Sequence, residues 1–294
     1  MASINALDIH SKTEVLLEAL PYIQQFKGAT FVVKFGGSFL DTEHARIGVA
    51  TDLVFLAAVG IRVVVVHGGG PAINKAMAEA KLDPVFRNGL RVTDGQTVEL
   101  VEATLNGVIN REICDNIRRQ GGQPQGVQGQ DVFSCSRLDR DADGNPVDIG
   151  FVGQVEGVNP AAITQALETG NLAVVSPVGS DLNGQFYNIN ADTAAAHAAM
   201  ALGARRLVFL CDVPGLLRDP QDPASLISTL AEGEVPVLRK AGIIGKGMLP
   251  KVESAVRALQ SGVRRVHLID GRMAHSILLE IFTDKGVGTE IVHS

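Results

Sequence analysis

Tryptophan is absent from this chain of 294 residues, aromatic residues make up 4% of it, and cysteine occurs three times. Cys114, Cys135 and Cys211 are odd in number and widely spaced. They form neither a disulfide framework nor the paired spacing of a structural metal site, which fits a reducing, cytoplasmic compartment. No apolar run approaches the roughly 20 residues needed to cross a bilayer. The first residues carry acids and no secretory apolar core, so no membrane association is expected. Excess positive charge is missing too. A net charge of -6 leaves no footprint for a nucleic acid. With no HExxH and no paired-cysteine motif, a metal held by the protein is not expected, whereas one carried in on nucleotide phosphates stays open.

What is present is an ordinary globular balance, 46% hydrophobic and 20% charged, in a chain long enough for one large α/β domain or two lobes. Ser11-Lys12-Thr13-Glu14 reads as a capping box, followed by Val15, Leu16, Ala19, Leu20 and Ile23 at helical spacing. An amphipathic helix, kinked at Pro21, is expected before the first strand. Continuous apolar strands are expected at 30–35, 62–66, 172–176, 207–210, 266–269 and 289–292. They alternate with helices at 42–58, 71–81, 160–170, 192–202, 252–260 and 274–282. A single long helix is expected over 96–119. Asn88-Gly89, between two short apolar pieces, signals a hairpin. This alternation predicts an α/β fold, helices on both sides of a mostly parallel sheet. Ligands of such sheets gather beyond the carboxyl ends of the strands.

Two strand ends there are unusual. The first runs Phe31-Val32-Val33-Lys34-Phe35 and opens into Gly36-Gly37. An ammonium at a buried strand tip beside bare backbone N–H groups suits a phosphate, although a strand-ending turn with a snorkelling lysine would look the same. The second opens into Gly68-Gly69-Gly70-Pro71 before a helix N-terminus, an anion-binding arrangement where a plain turn rarely needs three glycines. Neither has the spacing of a Walker loop, and no G-x-G-x-x-G follows either strand. Arg91, in a short apolar strand, offers a fork that matches a carboxylate, or is an ordinary hairpin arginine. In Asn188-Ile189-Asn190-Ala191-Asp192 the acid reads as a helix cap, but a cap does not explain the two amides before it. Gly245-Lys246-Gly247 delivers Lys251 near a helix start. Asp212-Val213-Pro214-Gly215 follows a strand where a nucleotide base could rest.

Taken together, KFGG at 34–37, HGGGP at 67–71, NGLRVTD at 88–94, VDIGFVGQVEGVN at 147–159, YNINAD at 187–192, CDVPGLL at 211–217 and GKGMLPK at 245–251 resemble the amino acid kinase family. GLRVT and YNINAD point to its acetylglutamate branch. The resemblance implies an αβα sandwich with an N-terminal extension helix. It also implies ATP, carried with Mg²⁺, as phosphoryl donor and the γ-carboxylate of N-acetyl-L-glutamate as acceptor. By position it implies that Lys34 and Lys251 stabilise the transferring group and that Asp192 holds both lysines. Gly36, Gly37, Gly69 and Gly70 would supply backbone donors, the last two near substrate. Arg91 and Asn188 would grip the α-carboxylate. Asp212, Val213, Pro214, Gly215, Leu216, Ile243, Ile244 and Gly245 would contact the nucleotide. Ser38-Phe39 and Cys211 depart from the usual residues beside these sites.

The ends resemble the hexameric, arginine-inhibited enzymes of that branch. The resemblance implies a ring of dimers joined by N-terminal helices, with an L-arginine site using His267, Glu280, Gly286 and Gly288. It divides the chain into a helix at 1–28 for oligomerisation, a substrate and phosphate lobe at 29–189, and a nucleotide and arginine lobe at 190–294. A PII-type signalling protein stands as a further partner to test. The competing readings are a relative acting on glutamate, aspartate, carbamate or UMP, a silent regulator that binds arginine or nucleotide, and a nicotinamide-dependent oxidoreductase. The missing dinucleotide motif weighs against the last.

Overall fold

The computed structural model describes residues 9–36, 42–141, 144–170, 172–245 and 247–294. Gly37, Ser38, Phe39 and Lys246 lie outside the described residues. In chain order the elements are α1 (Ile9–Phe26), β1 (Thr30–Phe35), α2 (Glu43–Ala58), β2 (Arg62–His67) and α3 (Gly70–Glu79). A hairpin of β3 (Phe86–Arg87) and β4 (Leu90–Arg91) follows, then α4 (Gly95–Glu102), a π-helical stretch Ala103–Ile109, and α5 (Asn110–Arg119). Next come β5 (Pro124–Val127), β6 (Phe133–Arg137), β7 (Gly153–Val158), α6 (Ala161–Gly170), β8 (Leu172–Val175), β9 (Val178–Ser180) and β10 (Phe186–Asn188). The chain closes with α7 (Ala191–Ala201), β11 (Arg206–Cys211), β12 (Thr229–Ala231), α8 (Val235–Lys240), α9 (Leu249–Gln260), β13 (Arg265–Asp270), α10 (Ser276–Ile281) and β14 (Thr289–Val292).

Eight strands form the central sheet in the order β12-β14-β13-β11-β1-β2-β8-β5. All neighbours run parallel except β13 and β14. The middle strands are apolar throughout because both faces are covered. Phe31, Val33 and Phe35 of β1 pack with residues of α2, α5 and α10. Val32, pointing the other way, packs with residues of α6, α7 and α9. The result is a three-layer αβα sandwich. A four-stranded sheet, β10-β9-β6-β7, adds Phe133, Cys135, Val155 and Tyr187 to the second of these cores.

Packing also places the chemistry. β1 pairs with β2 from Thr30↔Arg62 to Phe35↔His67, and its other side pairs Lys34 with Phe209 of β11. Fully burying an aliphatic or aromatic side chain contributes about 1.5–3 kcal/mol. A slip of one residue would turn Phe31 and Val33 away from their core, and would move Lys34 to the opposite face. The register with β2 and β11 therefore sets which layer Lys34 faces, that of α7.

Several expectations need correcting. The first helix begins by Ile9, so Ser11 lies inside it rather than at its N-cap, and Pro21 lies inside the helix, which runs to Phe26. Asp192 does not cap α7. Asn190 does, its side chain accepting from the N–H groups of Asp192 (2.9 Å) and Thr193 (3.1 Å). The long helix over 95–119 is interrupted by the π-helical stretch. The hairpin forms as expected, with Asn88 (φ 50°) and Gly89 (φ 79°) both in the left-handed region. That pair of positive φ values is what a two-residue turn between twisted strands requires.

Candidate active site

The carboxyl ends of β1, β2 and β11 and the N-terminus of α7 meet at one edge of the sheet. Lys34 points toward α7 from the last turn of backbone before Gly36. Because Asn190 satisfies the helix start, the carboxylate of Asp192 is free to face outward from the first turn, where a negative charge is favoured. Its Oδ1 lies 3.1 Å from Nζ of Lys34 and its Oδ2 lies 3.1 Å from Nζ of Lys251. Lys251 arrives on the first turn of α9, after Pro250. Residues 34 and 251, distant in sequence, thus share one carboxylate.

Lys34 and Asp192 are buried and Lys251 is half-buried. Burial alone would push the carboxyl of Asp192 up, but the two ammonium groups outweigh it and hold Asp192 below the usual carboxylate range. Burial would likewise lower Lys251, but Asp192 raises it above the ordinary lysine value. Two cations around one anion leave a surplus positive charge at the sheet edge, a receptor for something anionic. Cys211, nearby, is pushed up to about 12, first by burial, and stays a neutral thiol.

A cleft of ≈ 270 Å³ opens in front of Lys34. Gly36, Gly68, Gly69 and Gly70 form one wall, and Arg91, Asn188 and Asn190 line it as well. The glycine loops touch. A Cβ on Gly36 would sit 2.9 Å from the backbone N of Gly68, so any other residue would push the two loops apart. Arg91 is buried, with Nη2 donating to Oδ1 of Asn74 (2.6 Å), Nη1 against Sδ of Met77 (3.0 Å), and its guanidinium 4.8 Å from the centre of the Phe86 ring. Among the described residues no carboxylate pairs with it, and burial lowers its pKa. Asn188 donates to Oγ1 of Thr93 (3.2 Å), which donates to the carbonyl of Arg91 (2.8 Å).

The segment after β11 lies at the same edge. Asp212 is exposed, and Val213 and Pro214 are half-buried. Gly215 and Leu216 are anchored instead: the N–H of Leu216 donates to Oγ1 of Thr289 (2.9 Å), and a Cβ on Gly215 would lie 2.6 Å from that oxygen. Ile244 is in the core, Ile243 packs against it, and the carbonyl of Gly245 accepts from the N–H groups of Met248 and Leu249 at the start of α9. The C-terminal set gathers elsewhere, around Glu280. Nδ1 of His267 lies 2.7 Å from its Oε1, while Val287 (2.7 Å) and Gly288 (3.0 Å) donate N–H groups to its Oε2. Gly286 abuts the same oxygen. Burial would raise Glu280, but His267 and the two amides hold it below the usual range.

Sequence reading did not assign Asn74, Met77, Thr93, His67 or Asn110, all of which touch the cleft residues or their loops. His67 stood in the HGGGP motif. Thr93 stood in the NGLRVTD motif without a role of its own, and Asn74, Met77 and Asn110 carried no spacing signal, because their contacts depend on how α3, the hairpin and the π-helical stretch fold together.

The sequence model of the amino acid kinase family matches residues 29–270. Acetylglutamate kinase of Thermosynechococcus vestitus is 49% identical over 283 residues, which are 96% of this chain and 95% of that protein. The acetylglutamate kinase of Moorella thermoacetica is 47% identical over 287 residues, 96% and 97% of the two chains. Among solved structures, N-acetylglutamate synthase from Neisseria gonorrhoeae, complexed with coenzyme A and N-acetyl-glutamate, superposes with a TM-score of 0.83 at 28% identity. That match covers 96% of this chain and 63% of the synthase. Carbamate kinase from Giardia lamblia bound to AMP-PNP has a TM-score of 0.66 at 17% identity, over 91% and 99% of the two chains, a likeness of fold.

Proposed function

The chain belongs to the amino acid kinase family, and from that premise we propose that it transfers the terminal phosphoryl group of ATP to the γ-carboxylate of N-acetyl-L-glutamate, a step of arginine biosynthesis. The observation that carries this reading is the Lys34–Asp192–Lys251 bridge, whose Lys34 lines a cleft that Arg91 and Asn188 also line. The acceptor carboxyl, with an unperturbed pKa of roughly 4.3, is already ionised at neutral pH, so the reaction needs no general base. The obstacle is bringing an anionic nucleophile to an anionic triphosphate. Positive charge and positioning overcome it. In this reading Lys34 and Lys251 offset the repulsion, and the amides of Gly36, Gly37, Gly69 and Gly70 receive developing charge.

Among the described residues no group of three or more His, Cys, Asp or Glu could hold a metal ion, and both oxygens of Asp192 face lysines. In this reading Mg²⁺ would be carried in on the nucleotide phosphates. Asp212–Leu216 and Ile243–Gly245 are assigned to the nucleotide, the exposed Asp212 and half-buried Val213 and Pro214 facing it and the rest shaping the wall.

Arg91 and Asn188 are assigned to the α-carboxylate of the acceptor. Arg91→Lys would replace a planar fork with a point charge and lose the stack on Phe86. A charged hydrogen bond contributes about 1.5–3 kcal/mol, so KM for N-acetyl-L-glutamate should rise roughly tenfold or more with kcat little changed. A KM equal to that of the parent enzyme would remove Arg91 from this role. The reaction itself is tested by ADP release from ATP with N-acetyl-L-glutamate, glutamate, aspartate, carbamate and UMP offered in turn. Release that does not depend on N-acetyl-L-glutamate overturns the reading.

We extend the proposal to a hexameric, arginine-inhibited enzyme of the cytoplasm. Three buried, unpaired cysteines support the compartment. Val15, Leu16, Leu17 and Leu20 of α1 are exposed, an apolar stripe suited to a second copy of the same helix. The cluster around Glu280 supplies a carboxylate for a guanidinium. The helix at 1–28 would assemble the ring. The lobe at 29–189 would bind acceptor, and the lobe at 190–294 nucleotide and effector, with one sheet running through both. Leu16→Asp is expected to reduce the particle to dimers in analytical ultracentrifugation and to abolish inhibition by L-arginine. A hexamer in that variant sinks the ring. A PII-type partner rests on resemblance alone, and titration of the two purified proteins tests it.

A further inference from the structure

His67 is fully buried, titratable and unused by the mechanism above. Its Nδ1 lies 3.0 Å from the carbonyl oxygen of Gly68. A carbonyl only accepts, so Nδ1 carries the hydrogen. Its Nε2 lies 3.3 Å from Nδ2 of Asn110. The orientation of that amide is set independently, because the same Nδ2 donates to the carbonyl of Val174 at 2.8 Å. Asn110 therefore donates to Nε2, and the neutral Nδ1–H tautomer is the one that satisfies both contacts. No carboxylate faces the ring among the described residues, and burial lowers its pKa to about 4.

The consequence lies one atom further on. In a planar trans peptide the C=O of one residue and the N–H of the next point in opposite directions. His67 draws the carbonyl of Gly68 inward, toward the core. The N–H of Gly69 must then point outward, and both glycines line the cleft. The N–H of Gly68 is already used by the carbonyl of Phe35 (2.8 Å), and the carbonyl of Gly69 by the N–H of Ile73 (2.9 Å). Among the described residues no acceptor takes the N–H of Gly69. A run of three glycines has little intrinsic preference for one peptide orientation, so the orientation has to be imposed.

The π-helical stretch supplies the rest of the clamp. It brings Leu105 and Ile109 against Gly69 so closely that a Cβ there would lie 2.6 Å from Leu105 Cδ2. One residue later Asn110 reaches His67. Gly126 of β5 leaves room for the Asn110 amide, which any Cβ at that position would strike. Isolated π-helical turns recur at functional sites.

We propose that His67, its tautomer fixed by Asn110, is the positioning residue that turns the Gly68–Gly69 peptide so that the Gly69 N–H is presented to the phosphoryl group in transfer. This rests on the kinase reading above. The test compares His67→Phe, which removes the Nδ1 donor and keeps the ring volume, with His67→Asn, which places an amide donor near the same point, and His67→Gln, which does not. Removing an oriented donor to a transition state costs roughly 10²–10³ in kcat. Since here the donor is misdirected rather than deleted, kcat of His67→Phe should fall about 10- to 100-fold with KM for both substrates within about twofold. His67→Asn should recover most of the rate. Binding of ADP with tetrafluoroaluminate, a mimic of the transferring group, should weaken in parallel with kcat.

A folded His67→Phe with the parental kcat overturns the proposal. So does a variant that loses thermal stability while its folded fraction turns over normally. If His67→Phe does not fold, equal rates in His67→Asn and His67→Gln overturn it. Failure of the kinase reading is distinct, since the unaltered enzyme would then release no acceptor-dependent ADP.

Discussion

Lys34→Ala and Lys251→Ala should each lower kcat by roughly 10²–10³ and leave KM for N-acetyl-L-glutamate and ATP within a few-fold. Loss of one charged group aimed at a transition state typically costs that much. Ground-state affinity is held by other residues in this reading, Arg91 and Asn188 for the acceptor and the segments after β11 and before α9 for the nucleotide. The two variants should differ in one respect. Lys34 is buried at the end of a central strand and lines the cleft, whereas Lys251 is half-buried and reaches Asp192 from another helix. Lys34→Ala leaves a cavity beside a core layer and should cost some stability as well as rate. Lys251→Ala should cost less stability than Lys34→Ala, because it opens no cavity beside a core layer and Lys34 remains to compensate Asp192. Steady-state kinetics with a thermal melt on each variant checks both statements. Unchanged kcat in either would remove that lysine from the reaction.

The sandwich was legible because its strands are short apolar runs buried on both faces, where composition alone identifies them. Lys34 was legible because it interrupts such a run just where the strand ends. The positions that the sequence did not disclose share a cause, which is that their partners are remote in the chain. From its own spacing Asp192 looked like a cap, because acids commonly cap helices, and only the family resemblance pointed to its place between the lysines. The cap fell to Asn190, and that choice is what frees the carboxylate for two lysines. The π-helical stretch carries no pattern of its own. Over seven residues, Ala103 to Ile109, its apolar spacing fits an α-helix equally well. The wider π-helical turn brings Leu105 and Ile109 against the loop of Gly69 and Asn110 to the ring of His67, contacts on the far side that no local pattern announces. Short pieces such as β12 and α8 escaped notice for a similar reason. Three to six residues do not establish a period, and neighbouring layers decide their form.

Asp192→Asn should be the most damaging single change in this site, for two separable reasons. The side chain keeps its size and one acceptor oxygen but loses the charge that two ammonium groups share. Removing one partner from a buried ion pair costs about 3–5 kcal/mol, because the remaining charge stays buried without compensation. An amide oxygen offsets part of that, so a loss of about 3 kcal/mol in a denaturant titration is expected. The pH dependence separates charge from packing. In the parent enzyme the carboxyl of Asp192 is depressed, so its contribution is present above the unfolded carboxylate pKa and is lost as pH falls through the lower folded value. Asp192→Asn removes that acid limb. Lys251 behaves in the opposite sense. Its raised pKa contributes stability that is complete below the ordinary lysine value and is lost as pH rises through the folded one. Without Asp192 the largest raising influence is gone, and burial, the largest opposing one, moves the pKa of Lys251 down from its parental value. The residual kcat of Asp192→Asn should therefore decline at a lower pH on the alkaline side than that of the parent enzyme. An alkaline limb in the same place for both proteins would mean that Asp192 does not set the charge of Lys251, and the shared-carboxylate account of the site would fail.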